Sequence, residues 1–336
     1  MDISWLPDVE ASGGQFFTSA GKKIDAIKLL KASGVKVGRI RIFVNPRSAN
    51  GNIDRALALA KRLKVARMQI CIDLHYSDDW ADPSQQSKPA LWSEDIFKLE
   101  NEVYKYTETT LKRFVNNGLA PQWVQIGNEI GGGFIWPHGK IGDGAADQWR
   151  NFTLLHNAGS RALRQVLPNA KSVIHLEWGG DSEKVRWWLS NANKYGLEGI
   201  DLIGLSYYSQ WNGSLEKLDK TLNVVTNDFN LPVVIAETAY PWISKSFGKD
   251  VLDVNKSQLP SFPFSPQGQA KYVQALKNKL RNQPLDRGIG LWWWEGLATA
   301  VRSADGSILW NAGMANATLV GADGKSLPGL SLLGTK

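Results

Sequence analysis

The feature that most constrains this chain is a rhythm. Short β-branched or apolar runs alternate with amphipathic stretches from the first residues nearly to the last. Strands are expected at Val37 to Val44, Met68 to Leu74, Trp123 to Ile126, Ser172 to Leu176, Leu202 to Leu205, Pro232 to Ala236 and Gly288 to Trp294, with a first one close to Asp2-Ile3-Ser4. Helix patterns fall between them, at Lys22 to Ala32, Asp54 to Val65, Asp95 to Asn116, Ala145 to Val166, Ser182 to Lys194, Leu215 to Asn227 and Pro266 to Leu280. Spacing such as Ile24, Ile27, Leu30 marks one apolar helix face laid on a sheet. Eight strands alternating with helices, with no glycine-rich dinucleotide fingerprint after the first, predict an α/β fold closed as a (β/α)8 TIM barrel. No linker, low-complexity tract or solenoid-period repeat interrupts the pattern, so residues 1–336 read as a single domain.

Composition narrows the function classes. No run of 18 apolar residues is present, so no membrane span is expected. Met1 leads directly into Asp2-Ile3-Ser4, without a basic and then apolar leader; the chain is either cytoplasmic or stands without its signal peptide. The single cysteine, Cys71, excludes an internal disulfide and sits in an apolar run as a small buried hydrophobe. The net charge of +7 comes from Lys and Arg scattered along helical stretches such as Lys22 to Lys31 and Lys271 to Arg281, so no nucleic-acid partner is expected. Fifteen tryptophans are unusual, and Trp5, Trp80, Trp92, Trp136, Trp211, Trp242 and Trp310 stand beside Gly, Pro, Asp or Asn, as in loops. Flat rings in loops suit the apolar C–H face of a pyranose, although several will be structural.

Two long loop-like stretches, His75 to Trp92 and Tyr240 to Ser265, follow strands, which in a barrel places them on the C-terminal face that carries the chemistry. The sharpest local feature is Gln125-Ile126-Gly127-Asn128-Glu129-Ile130, an apolar strand ending in an amide and a carboxylate. By itself Glu129 reads equally as a helix cap or a solvated loop acid. A second apolar strand, Val233-Val234-Ile235-Ala236, delivers Glu237 in the same way. On the fourth and seventh strands the two would face each other across the mouth, as a retaining glycosidase requires of its carboxyl pair. Arg41 and Arg39 share one face of their strand by the period of two, as a structural ion pair or as donors to the site. His75 and His175 close two further strands, Ser206 and Tyr208 share a face at the end of the sixth, and Trp292 and Trp294 share one at the eighth. A lone histidine is more often a hydrogen-bonded core residue than a functional one.

With these residues assembled, the chain resembles glycoside hydrolase family 53, the arabinogalactan endo-β-1,4-galactanases. The resemblance runs from Asp2-Ile3-Ser4 through His75-Tyr76-Ser77-Asp78, Trp80-Ala81-Asp82-Pro83 and the Gln125 to Ile130 stretch. It continues through His175-Leu176, Gly204 to Ser209, Trp211-Asn212-Gly213 and Glu237-Thr238. It implies a retaining barrel enzyme with Glu129 as acid/base and Glu237 as nucleophile. Asn128 would bind the 2-hydroxyl at the cleavage point, and Arg41, His75, His175, Tyr208 and Trp294 would shape that subsite, with Ser206 and Trp80 as further substrate-binding residues. Two departures stand out: Glu177 where the family usually has Asp, and Glu295-Gly296-Leu297-Ala298 where it usually has Glu-Pro-Ala-Trp.

The expected partner is therefore the polysaccharide β-1,4-galactan. Another β-linked polymer (mannan or glucan), or binding without catalysis, are the rival readings. No cofactor is expected. Many bacterial members of the family carry calcium after the seventh strand, but Asp250, Asp253 and Asn255 lack the dense oxygen-ligand spacing of a calcium loop, so no metal is expected either. A polymer cannot enter a cell, so the protein is expected to be secreted, and to act as a monomer away from membranes.

Overall fold

Parallel strands need a covering of helices, and here the helix signals supply one after each of the first seven strands. In the computed structural model, which describes residues 1–142, 146–248, 250–257 and 259–334, β2 (Val37–Ile42), β3 (Gln69–Leu74), β4 (Trp123–Ile126), β5 (Lys171–Leu176), β6 (Leu202–Ser206), β7 (Val233–Thr238) and β8 (Gly288–Trp293) pair in parallel in that order. The remaining position, β1, is filled by residues 1–3. Asp2 N–H donates to Trp293 O at 2.9 Å, while Ile3 N–H donates to Arg39 O at 3.1 Å and Arg39 N–H to Met1 O at 2.9 Å. These bonds join β8 to β2 and close an eight-membered ring, the expected (β/α)8 barrel.

Helices α1 (Ala26–Ala32), α2 (Ile53–Val65), α3 (Ile96–Asn116), α4 (Ala146–Val166), α5 (Ser182–Lys194), α6 (Leu215–Asn223), α7 (Pro266–Arg281) and α8 (Pro328–Gly334) follow the strands one for one. Several start at a capping side chain: Asn52 accepts from Asp54 N, Asp95 from Lys98 N, Asp181 from Lys184 N and Ser265 from Gly268 N. The same chemistry corrects the start expected at Lys22. Asp25 caps α1 by accepting from Lys28 N, and Lys23–Ile24 instead pair with Phe16–Phe17. The helix expected to Asn227 loses its α geometry after Asn223 and passes into a wider π turn at Val224–Asp228. Helix α8 is short and glycine-containing, and no periodic signal announced it. Ala145, the expected first residue of α4, lies outside the described residues, as do Thr335 and Lys336.

Inside the ring the side chains stack in layers. Cys71, Val173, Leu202, Val234, Ala236 and Trp292 form an apolar plug separate from the core between strands and helices. Above it the inward positions turn polar, with Arg39, Asp73, Gln125 and His175 all buried. Gly204 belongs to the plug's upper edge, where a Cβ would stand 2.8 Å from Ala236 Cβ and 3.1 Å from Val173 Cγ1. Neither neighbour has a flexible end to withdraw. Gly204→Ala is therefore expected to lower unfolding free energy by about 1–3 kcal/mol through overpacking, read from denaturant midpoints; an unchanged midpoint contradicts this packing.

Candidate active site

The backbone at two strand ends departs from regular geometry, and each departure aims a glutamate. After β4, Gly127 at φ 85° and Glu129 at φ 50° turn the chain left-handed, which brings both Asn128 and Glu129 to the mouth instead of alternating. A non-glycine residue holds such a φ only when its surroundings enforce it. In β7 the inward residues are Val234 and Ala236, so strict alternation would send Glu237 outward to the helices. A register shift between Ile235 and Glu237 against β6, and a second against β8, set Glu237 opposite Ser206 and turn it inward. Glu129 and Glu237 then line one cleft of about 680 Å³ with Asn128, Glu177, Ser206, Tyr208 and the indoles of Trp80, Trp178, Trp211 and Trp294.

Glu237 is held by Arg39, whose guanidinium Nη1 donates to Glu237 Oε1 at 2.9 Å and to Asp2 Oδ2 at 3.0 Å. Its Nη2 donates to Asp73 Oδ2 at 2.9 Å and Asn128 Oδ1 at 3.0 Å, and its Nε to Gln125 Oε1 at 3.1 Å. Tyr208 Oη donates to Glu237 Oε2 at 3.2 Å. Ser206 Oγ lies 2.6 Å from Glu129 Oε1 and 2.8 Å from His175 Nε2. Asn128 Oδ1 accepts from Arg39 and faces His175 Nδ1 at 2.9 Å, while its Nδ2 donates to Ala81 O at 2.8 Å.

The structure sets the two arginines of this strand at different depths. The arginine beside Glu237 is Arg39, one step deeper on the same face. Arg41 lies over the Trp80 ring, its Cζ 3.9 Å from the centroid, within reach of Trp5, Trp294 and Phe43 and 3.6 Å from Glu295. Buried to 1% exposure, it supports the aromatic floor from below and does not line the cleft. His75 and His175 are likewise beneath the surface. His75 accepts from Ala81 N through Nδ1 and faces Asp73 through Nε2 at 3.0 Å, which anchors the loop bearing Trp80. Ser206, Tyr208, Trp80, Trp294 and Asn128 do line the cleft, where they were expected. Gln125 and Trp178 went unmarked, though Gln125 is an inward polar residue of β4 and so carried a signal. Glu177 also lines the cleft and accepts from Gly131 N at 3.1 Å. Of the loop tryptophans, only Trp80 and Trp211 reach the cleft; Trp5 packs edge-on against Trp80, Trp294 and Trp310. Asp250 accepts from Phe247 N and Asp253 from Asn255 N, each within its own loop turn.

Electrostatics separates the two glutamates. Burial raises Glu237 to about 7, with Arg39 pulling it back down. Burial raises Glu129 well above the usual carboxyl range, and the charges of Glu237 and Glu177 push it further. Glu237 is therefore the first of the pair to ionise. Glu177 itself is raised by burial to about 7. Against burial, Arg39 and His75 draw Asp73 down to about 2, so it stays charged beneath the site. Burial pulls Arg39 toward neutrality, but Asp73, Glu237 and Asp2 outweigh it and keep it a cation.

Comparison with known proteins agrees with this geometry. The model of glycosyl hydrolase family 53 matches residues 1–333. The arabinogalactan endo-β-1,4-galactanase of Thermothelomyces thermophilus is 34% identical over 306 residues, covering 87% of this chain and 88% of that protein. A solved fungal β-1,4-galactanase structure superposes with a TM-score of 0.86 at 30% identity, covering 100% of this chain and 98% of its own. The family 53 catalytic domain of Ignisphaera aggregans gives 0.90 at 29% identity, covering 99% and 94%. A donor to the ionised form of Glu237 favours that form, so Tyr208→Phe is expected to move its titration about one pH unit upward. Carboxyl 13C shifts read this directly, and an unmoved midpoint contradicts the contact.

Proposed function

The chain belongs to glycosyl hydrolase family 53, and from that membership we propose that residues 1–336 form one catalytic domain that cleaves internal β-1,4-galactosidic linkages of (arabino)galactan with retention. The observation that carries the reading is the pair Glu129 and Glu237 in one cleft, each with its own partners and the second paired to a buried cation. In the first step Glu237, ionised and steadied by Arg39 and Tyr208, attacks the anomeric carbon. Glu129 gives its proton to the departing glycosidic oxygen. In the second step Glu129, now a carboxylate, takes a proton from the water that releases the sugar from Glu237.

Other roles follow from position. Asn128 faces the cleft beside Glu129 and reads the 2-hydroxyl. Trp294 floors the sugar at the cleavage point, with Trp80 beside it. Trp211, 58% exposed, offers a ring to a neighbouring unit of the polymer. An open cleft along the barrel mouth suits attack within a chain rather than at its end. No helix among the described residues is long and apolar enough to cross a membrane. The protein works as a monomer outside the cell, on the galactan side chains of pectin, without a cofactor, metal or nucleic-acid partner.

Glu237→Gln is expected to fold normally, by circular dichroism, and to lose hydrolysis of unbranched β-1,4-galactan. Wild-type activity in that variant removes Glu237 from its role. Glu129→Gln is expected to lower kcat on the same polymer by about 10²–10⁴, with no loss if the acid lies elsewhere. Trp211→Ala is expected to raise KM for galactan with little change in kcat, the signature of lost uniform binding; proportionate loss in kcat alone contradicts the platform.

A further inference from the structure

His175 stands at the inward end of β5, fully buried, with its two ring nitrogens in different company. Nδ1 lies 2.9 Å from Asn128 Oδ1. That amide cannot be turned over, because Nδ2 donates to Ala81 O and Oδ1 accepts from Arg39. Gln125 Nε2 is 3.2 Å from the same ring nitrogen, but three oxygens lie closer to it and take its two hydrogens: Asp73 Oδ1 at 2.6 Å, Gly127 O at 3.0 Å and Asn128 Oδ1 at 3.1 Å. An acceptor oxygen so close requires Nδ1 to carry the hydrogen. Burial, with Arg39 adding to it, keeps the ring neutral. Nε2 is then a bare lone pair, and the hydrogen of Ser206, 2.8 Å away, turns to it. Ser206 thereby offers Glu129 Oε1, at 2.6 Å, only its own lone pairs. That contact is favourable when Glu129 is the acid and donates, and repulsive when it is a carboxylate.

We propose that Ser206 is a two-position hydrogen-bond switch for Glu129, with His175, locked as its Nδ1–H tautomer by Asn128, as the alternative acceptor. The inference rests on the reading of Glu129 as acid/base. While Glu129 holds its proton, the Ser206 hydroxyl donates to His175 Nε2 and accepts from Glu129. Once that proton has gone to the leaving-group oxygen, the hydroxyl rotates about its Cβ–Oγ bond and donates to Glu129 Oε1. When water returns a proton to Glu129, it rotates back. No bond to Ser206 or His175 forms or breaks, and the proton count is that of the double displacement alone. One side chain thus serves both protonation states, as a residue that is acid in one step and base in the next requires.

Other charges face Glu129 from every side: Glu237 on β7 and Glu177 after β5 oppose loss of its proton, while Arg39 on β2 favours it. Tyr208, just after β6, stays protonated because burial and the two glutamates raise its hydroxyl. Asp73 on β3 and His75 just after it face His175. None of these groups is changed by the variants below, so they set the starting point and not the direction of the shifts.

The lock is tested first without turnover. In the unliganded protein labelled with [15N]histidine, the His175 ring is expected to be neutral with Nδ1 protonated; an Nε2-protonated ring or an imidazolium overturns the proposal. The switch is tested by the basic limb of kcat/KM, which reports the acid in the free enzyme. Ser206→Ala removes the donor to the carboxylate and is expected to move that limb to higher pH. His175→Phe frees the hydroxyl to donate to Glu129 permanently and is expected to move it to lower pH. Ser206→Thr is expected to restore the wild-type limb. Opposite shifts of about half a pH unit or more support the switch, whereas rate losses with an unmoved limb overturn it. Failure of the acid/base reading shows separately, as full activity in Glu129→Gln.

Discussion

A guanidinium at the centre of a barrel, with every nitrogen engaged, is the interaction on which the rest of this site depends. Arg39 binds Asp2 on β1, Asp73 on β3, Gln125 and Asn128 on and after β4, and Glu237 on β7. A fork of five N–H donors can tie so many elements at once, and a lysine ammonium cannot. The arrangement has a thermodynamic side as well. A buried cation is tolerated only where carboxylates surround it, and removing one member of such a set typically destabilises by about 3–5 kcal/mol. The same contact that makes the arginine tolerable draws Glu237 toward its ionised form. Stability of the barrel interior and readiness of the site are therefore one arrangement.

Burial then does opposite work on the two sides of the cleft. Glu129 has no arginine in contact and faces two further carboxyls, so it keeps its proton longest. Glu237 has Arg39 and Tyr208 and gives its proton up first. Beneath both lies a floor that is rigid for a different reason. Arg41, stacked on Trp80 and close to Trp5 and Trp294, supports the rings from below without touching the cleft. The two arginines of one strand divide the labour by depth: the lower one governs charge, the upper one shape.

Much of this was legible in the sequence, and the exceptions have physical causes. Alternation of strand and helix signals gave the barrel, and apolar strands ending in Glu129 and Glu237 marked the mouth. Period two placed Arg39 and Arg41 on the same face but carries no information on depth, so which of them meets Glu237 could not be read from it. Alternation from Val234 and Ala236 would have turned Glu237 away; the bulge that rescues it has no signature in Val-Val-Ile-Ala-Glu. His75 and His175 were visible as strand-end residues, but their place beneath the floor depends on the loop carrying Ala81 and on Asn128, which meet only in the folded chain. Ile24 imitated the apolar face of α1, while the capping carboxylate of Asp25 decided where that helix begins.

The central claim is that Glu237 becomes covalently joined to the sugar during turnover. A 2-deoxy-2-fluoro-β-galactobioside with a good leaving group slows release of the sugar more than its attachment, so the intermediate accumulates. Proteolysis and mass spectrometry of the inactivated protein then locate the label. The account predicts one fluorosugar per chain, attached to Glu237, and slow recovery of activity when a galactan acceptor is added. A label on another residue, or turnover of the reagent with inversion and no adduct, would contradict it.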